Sequence, residues 1–385
     1  MPIRESILAR TFARSRESIH SRGPTRSRES TGVREPTHAR EVELYDRLDG
    51  DSVRCRVCPR SCVVPPGERG FCRVRENRDG EFVLVTYGLA VSAAVDPIEK
   101  KPLFHFAPGS RVLSVAARGC TLRCDFCQNY RIAIEHDDVP ERARAPAQLV
   151  SAIDDEDCGG IAYTYTEPTV FLEYALDTMA ETSEEHYSAF VTNGYMTPET
   201  VDLIAPRLDA VNVDLKGGDA FYRDRCGVPD PTPIYETIEA LSERDVHLEV
   251  TTLLVTDEND DPDDIRERMR WIRSTLGPET PVHVSCFHPA YKMYDVPPTP
   301  IERLESALEI AHDEGLEFVY CGNVPGHEAE STYCPDCDAL VVEREGFTIR
   351  SYDLEGGGCP RCGCEIPIAG TGWARDTTSG AEFWR

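Results

Sequence analysis

The chain has 385 residues, with 68 acidic side chains against 41 basic ones, a formal net charge of −27 and 16 cysteines. So acidic a surface repels phosphate backbones and excludes nucleic acid as a partner. Lys occurs only at positions 100, 101, 216 and 292, every other basic residue being Arg, so the composition reads as that of a halophilic protein whose self-repulsion is screened by salt.

No apolar run reaches the roughly 20 residues of a membrane span. A soluble cytoplasmic chain is expected, with no membrane partner, in a reducing compartment where closely spaced cysteines ligate metals rather than form disulfides.

In chain order, residues 1–40 hold nine Arg against four Glu, with little apolar periodicity, and are expected to be a disordered Arg/Ser-rich tail. Residues 41–109 form a cysteine-rich N-terminal module. Cys55, Cys58, Cys62 and Cys72 fall within "CRVCPRSCVVPPGERGFC", and "DGEFVLVTYGLAVSAAVDP" reads as one or two strands. The four thiols fit structural zinc, the first choice, or an additional iron–sulfur cluster.

Residues 110–325 are rhythmic. Short β-type runs ("RVLSVAA", "GGIAYTY", "HYSAFVTN", "DAVNVDL", "HLEVTTLLV", "PVHVSCF", "EFVYCG") alternate with helical stretches, several starting near Pro or Asp. This alternation predicts an α/β fold of parallel βα units. Six or seven units in about 210 residues predict a partial (β/α)6-type TIM barrel, since a closed eight-unit barrel needs about 250. The site is expected on the loops at the carboxyl ends of the strands.

Residues 326–385 form a C-terminal knuckle module. Cys334 and Cys337 in "CPDC", with Cys359 and Cys362 in "CPRC", predict a zinc-ribbon or rubredoxin-like site, with zinc expected and iron as the alternative. Such a closed four-ligand site serves stability, and Cys364 is expected to stand outside it.

The remaining signal is "RGCTLRCDFCQNY", directly after the first core strand. Cys120, Cys124 and Cys127 form a C-x3-C-x2-C run without a fourth cysteine nearby, the next being Cys158. A ferredoxin-type cluster takes four thiolates, so three leave one iron open. The alternative is a zinc site of three Cys completed by His105 or His136.

In this position, with Phe126 before the third cysteine, the run resembles the radical S-adenosylmethionine (SAM) superfamily. "GCTLRCDFCQNY" is similar to the activating enzymes of glycyl-radical proteins. "DPIEKKPLFHFAPGS", "YTYTEPT", "VTNGY", "VDLKG", "FHPAYKM", "GNVPGH" and both cysteine modules together resemble the AmmeMemoRadiSam-system radical SAM enzymes over residues 41–367.

The resemblance implies a [4Fe–4S] cluster on Cys120, Cys124 and Cys127 whose open iron binds SAM. The chemistry expected is reductive cleavage to a 5′-deoxyadenosyl radical that abstracts hydrogen from a protein, peptide or other substrate. Implied partners are a ferredoxin- or flavodoxin-like electron donor and Memo- and AMMECR1-type proteins.

Carried over to this chain, Glu167 would face the SAM amino group, and Thr192, Asn193, Gly194, Asp214 and Lys216 would lie near its ribose and carboxylate. His288 would face the cavity. Beside these stand plainer readings: Glu167 as a solvated side chain capping the helix begun by Pro168, the Asn-Gly and Lys-Gly pairs as turns, and His288 as a hydrogen-bonded loop residue. Rival functions are a non-catalytic iron–sulfur electron-transfer protein and a zinc-binding scaffold.

Overall fold

The computed structural model describes residues 38–373. Its centre is an eight-stranded sheet: β1 (Ser92–Pro97), β2 (Arg111–Ala116), β3 (Gly160–Tyr163), β4 (Tyr187–Thr192), β5 (Ala210–Asp214), β6 (His247–Leu254), β7 (Val282–Cys286) and β8 (Val319–Gly322). The strands lie side by side in chain order. β2 to β8 are parallel, and β1 pairs antiparallel along β2, Ser92 opposite Ala116 and Pro97 opposite Arg111.

This α/β sheet is open, and its seven parallel strands are the seven apolar runs of the sequence, one more than a six-unit barrel has. The edge strand β1 comes from the segment assigned to the N-terminal module, so module and core share one sheet. Of the tail assigned to residues 1–40, residues 1–37 lie outside the described residues, and a short strand already begins at Arg40.

Helices join the strands: α1 (Tyr130–Ala133), α2 (Pro146–Asp155), α3 (Leu172–Glu181), α4 (Pro198–Ile204), α5 (Asp219–Arg225), α6 (Thr232–Ser242), α7 (Pro262–Leu276) and α8 (Ile301–Asp313). Local chemistry sets several of their starts. Thr197 and Asp261 accept backbone N–H bonds at the starts of α4 and α7, each followed by Pro at the first helical position. In α7, Ile265, Met269 and Ile272 recur at helical spacing and are buried. α1, α4 and α5 are too short for a clear period and were not foreseen.

The two ends of the sheet differ. At the amino ends of the strands, the Glu249 carboxylate accepts from the backbone N–H groups of Phe104 and His105 and lies 2.9 and 2.6 Å from the Nε2 atoms of His247 and His283. His105 is fully buried there, against Tyr320 and the Pro367 carbonyl, so it does not complete the Cys120 site.

The C-terminal module docks onto this end. Arg344 donates to the Phe104 carbonyl and to Thr332 Oγ1, while Phe104, Phe318, Tyr320, Val341 and Ile366 close an apolar cluster around Cys334 and Cys359.

Near the other end, the N-terminal module packs against α3 through the Arg75–Glu173 ion pair, N···O 2.9 Å, with side chains 2% and 0% exposed. A buried pair of this kind costs about as much in desolvation as it returns, but removing one member leaves an uncompensated charge.

Candidate functional site

The loop after β2 carries Cys120, Cys124 and Cys127, so the triad lies where the parallel strands end. Gly119 has φ +100°, a conformation favouring glycine, and a Cβ there would sit 3.0 Å from the Cys72 carbonyl oxygen and 3.1 Å from Val74. The loop is tied down on both sides. The backbone N–H groups of Arg123 and Asp125 donate to the carbonyls of Cys226 and Arg225. The Arg123 guanidinium reaches the carbonyls of Cys120, Leu122 and Phe71, and Arg60 holds those of Thr121 and Gly227.

The neighbouring strand ends bring the other groups. Glu167 is 1% exposed. Its Oε1 accepts from Thr169 N at 3.0 Å and Thr192 Oγ1 at 2.8 Å, and its Oε2 from Asn193 N at 2.9 Å. It therefore caps the turn Pro168–Phe171, but from a buried position and not as the solvated side chain of the plainer reading, while standing in electrostatic contact with Cys120. Burial raises its pKa against the pull of these donors.

Asn193 donates from Nδ2 to Cys120 Sγ at 3.5 Å and to Thr121 Oγ1 at 3.1 Å. Gly194 has φ +69°, and a Cβ there would meet Val213 at 2.9 Å, so this turn requires glycine.

After β5, Lys216 Nζ lies 2.7 Å from Asp214 Oδ2. Burial opposes its charge, yet Asp214 and the nearby Cys124 thiol raise its pKa. The thiol of the buried Cys226 hydrogen-bonds Cys124 and draws the Cys124 pKa below its ordinary value, while burial raises the pKa of Cys226. His288 lies exposed on the loop after β7. His136 is buried beside Arg73, Arg118 and the Cys72 backbone.

Several groups went unnoticed in the sequence. Tyr165 has φ +64°, unfavourable for a bulky residue. It is held by a hydroxyl bond to Asp96 and by Asn129 Nδ2 on its carbonyl, 2.8 Å away. Asp96 also pairs with Lys100 and Lys101 at 2.8 Å each, and burial drops the Lys101 pKa to about 8.

Lys292 bonds Asp125, between two cysteines, at 2.9 Å, and its neighbour Tyr291 stacks on Tyr130. Each of the chain's four Lys thus pairs with an Asp: Lys216 with Asp214 at the end of β5, Lys292 with Asp125 on the triad loop, and Lys100 and Lys101 with Asp96 on the antiparallel edge strand β1. Lysine scarcity was the signal that could have found three of them.

The donor set fits a cluster. The triad presents three soft sulfurs on one loop, with Asn193 Nδ2 and the Leu122 backbone N–H aimed at Cys120 Sγ and an ammonium beside Cys124. At the far end, Cys334, Cys337, Cys359 and Cys362 keep all four sulfurs within 4.8 Å of one another, with approaches of 3.5 and 3.7 Å, the spacing of a tetrahedral ion. Cys364 is not in this group. A groove of about 820 Å³, lined by Ser183, His186, Asp209 and Arg244 among others, includes none of the site residues.

A family model described as the Radical SAM superfamily matches residues 114–272. The uncharacterized protein MJ0808 of Methanocaldococcus jannaschii is 45% identical over 332 residues, covering 85% of this chain and 99% of that one. Among solved structures, a domain of pyruvate-formate lyase-activating enzyme from Bacteroides vulgatus has 21% identity and a TM-score of 0.37, over 43% of this chain and 99% of that one. A radical SAM methyltransferase from Sphaerobacter thermophilus has 15% identity and a TM-score of 0.45, over 75% and 78%.

Proposed function

Because the chain belongs to the radical SAM superfamily, we propose that it uses a [4Fe–4S] cluster on Cys120, Cys124 and Cys127 to cleave SAM and abstract a hydrogen atom from a protein or peptide substrate. When bound, the cluster and SAM supply a 5′-deoxyadenosyl radical. The observation that carries the reading is the placing of three thiols, and no fourth on their loop, beside the ends of β3, β4 and β5.

The chain's own residues have separable tasks. Asn193 and the Leu122 N–H stabilise negative charge on Cys120 by donating to its sulfur. Lys216, held by Asp214, offers a cation to a carboxylate entering beside Cys124. Glu167 anchors the ends of β3 and β4 to each other, and its charge faces an incoming ammonium. Thr192 and Gly194 shape the turn that brings Asn193 forward, Thr192 Oγ1 accepting from Gly194 N at 3.1 Å. Exposed His288 is assigned to the substrate side of the opening, where an imidazole can exchange a proton.

The finer reading is an activating-type oxidoreductase acting with Memo- and AMMECR1-type partners and a ferredoxin- or flavodoxin-like donor. It is supported by the resemblance of the motifs, as zinc at the C-terminal module is supported by its sulfur spacing. No described helix is long and apolar enough to cross a membrane; with the acidic composition this is compatible with cytoplasmic, salt-adapted life. Anaerobic incubation of the reconstituted protein with SAM and dithionite, followed by chromatography for 5′-deoxyadenosine, tests the function. Absence of that product would overturn it.

A further inference from the structure

Cys55, Cys58, Cys62 and Cys72 line one small cavity of about 20 Å³, together with Val57, Phe71, Phe82 and Thr121. A single zinc ion, bonded to each sulfur at about 2.3 Å, draws four sulfurs to about 3.8 Å from one another. The C-terminal four match that spacing. Among the described residues, no three sulfurs of the N-terminal set lie within 4.8 Å of one another. They face the same space yet stand apart, as they must when a cluster's own irons and sulfides come between them.

The surroundings are built for thiolates. The Phe71 N–H donates to Cys62 Sγ at 3.4 Å. Backbone N–H groups of Val57, Arg60 and Val74 face Cys55, Cys58 and Cys72 respectively, and the buried Arg75 guanidinium lies near Cys55 and Cys72. Hydrogen bonds to sulfur and local charge are the means by which a protein tunes a cluster's potential.

This cavity also shares a wall with the triad. The Cys72 carbonyl packs against Gly119, next to Cys120. Thr121 lines the cavity itself, and the Phe71 ring is sandwiched between the Arg60 and Arg123 guanidiniums at 3.8 and 4.1 Å. Arg123 then donates to the Cys120 carbonyl. On the outer side, Ser61 and Val63 are exposed and Cys58 and Cys62 half-buried.

We propose that Cys55, Cys58, Cys62 and Cys72 ligate a second iron–sulfur cluster, and that the wall of Phe71, Cys72, Gly119 and Arg123 carries one electron from it to the triad. The second cluster is oxidised by one electron as the triad's is reduced by one, with no bond or proton changed. A reduced one-electron donor protein replaces that electron. The relay rests on the triad holding a cluster; the ligation does not.

The test counts metal in the full chain after anaerobic reconstitution. Wild-type protein should hold about eight irons and eight sulfides, and the Cys120→Ala/Cys124→Ala/Cys127→Ala variant about four of each, with its own EPR signal on reduction. Zinc in place of iron, or no metal, at the N-terminal set in either protein would overturn the proposal. About four irons in both proteins would support the second cluster while removing the triad's.

For the relay, Cys58→Ser/Cys62→Ser, or Cys58→Ser alone if the double variant folds poorly, should slow reduction of the triad cluster by reduced flavodoxin tenfold or more. Its reduction by dithionite should be unaffected. Equal flavodoxin rates in wild type and a cluster-depleted variant would sink the relay.

Discussion

The side-chain amide of Asn193 points at the Cys120 sulfur, 3.5 Å away, while its backbone N–H donates to Glu167 at 2.9 Å. One residue at the end of β4 thus touches both the cysteine loop and the carboxylate at the end of β3.

Replacing Asn193 by Ala removes the donor to sulfur but no ligand. Iron content should stay that of wild type. Because a hydrogen bond to a thiolate favours the more negative, reduced cluster, the reduction potential should fall. SAM cleavage should slow about tenfold, equivalent to about 1.4 kcal/mol of barrier. A redox titration followed by EPR checks the potential; an unchanged value would show that the amide only holds the turn.

Losing either cysteine site should have separate consequences. Cys124→Ser should strip the triad's iron and abolish SAM cleavage. Cys337→Ser should lower zinc by about one per chain, since four thiolates close that site. It should also drop Tm by about 5 °C, while enzyme folded at 25 °C still cleaves SAM. Metal analysis beside calorimetry measures both.

The Arg75–Glu173 pair fastens the N-terminal module to α3. Arg75→Ala leaves a buried carboxylate unpaired and should cost about 3–5 kcal/mol in urea unfolding. Arg75→Met with Glu173→Leu should recover most of that loss, because the charge and its partner leave together.

Glu99 is 1% exposed. Its Oε1 accepts from Gly109 N at 2.8 Å, its Oε2 lacks a hydrogen-bond partner among the described residues, and burial raises its pKa to about 7, Arg344 opposing and Glu249 adding to the shift. Between the ordinary carboxylate pKa and 7 the folded state binds the proton and the unfolded state does not. This group therefore lowers stability as pH rises through that window, and the penalty persists above 7. Glu99→Gln should stabilise the protein at pH 8 by on the order of 1–3 kcal/mol and hardly at all at pH 4.5. Denaturant titrations at both pH values check the sign.

Fold and site were legible to different depths. Buried parallel strands are continuous apolar runs, so "DAVNVDL" and "PVHVSCF" announced themselves, whereas β1, with two of its six residues exposed and an Asp, read as part of the preceding module. Cysteine spacing picked out all three cysteine sets because spacing is a local property. It could not report how far apart the sulfurs stand, which separates the tight C-terminal four from the N-terminal four. Cys226 was missed because it meets Cys124 only through the fold, 102 positions later. The strained Tyr165 and its Asp96 bond likewise depend on β1 packing beside β2, which no local pattern encodes.

On the proposed function, the three-cysteine loop leaves one iron open to SAM. Electron–nuclear double resonance of the reduced, reconstituted Cys55→Ala/Cys58→Ala/Cys62→Ala/Cys72→Ala protein, mixed with SAM labelled with nitrogen-15 at its amino group, tests this most directly. A hyperfine coupling from the labelled nitrogen to the cluster is expected. A fully reduced cluster whose spectrum is the same with and without labelled SAM would contradict it.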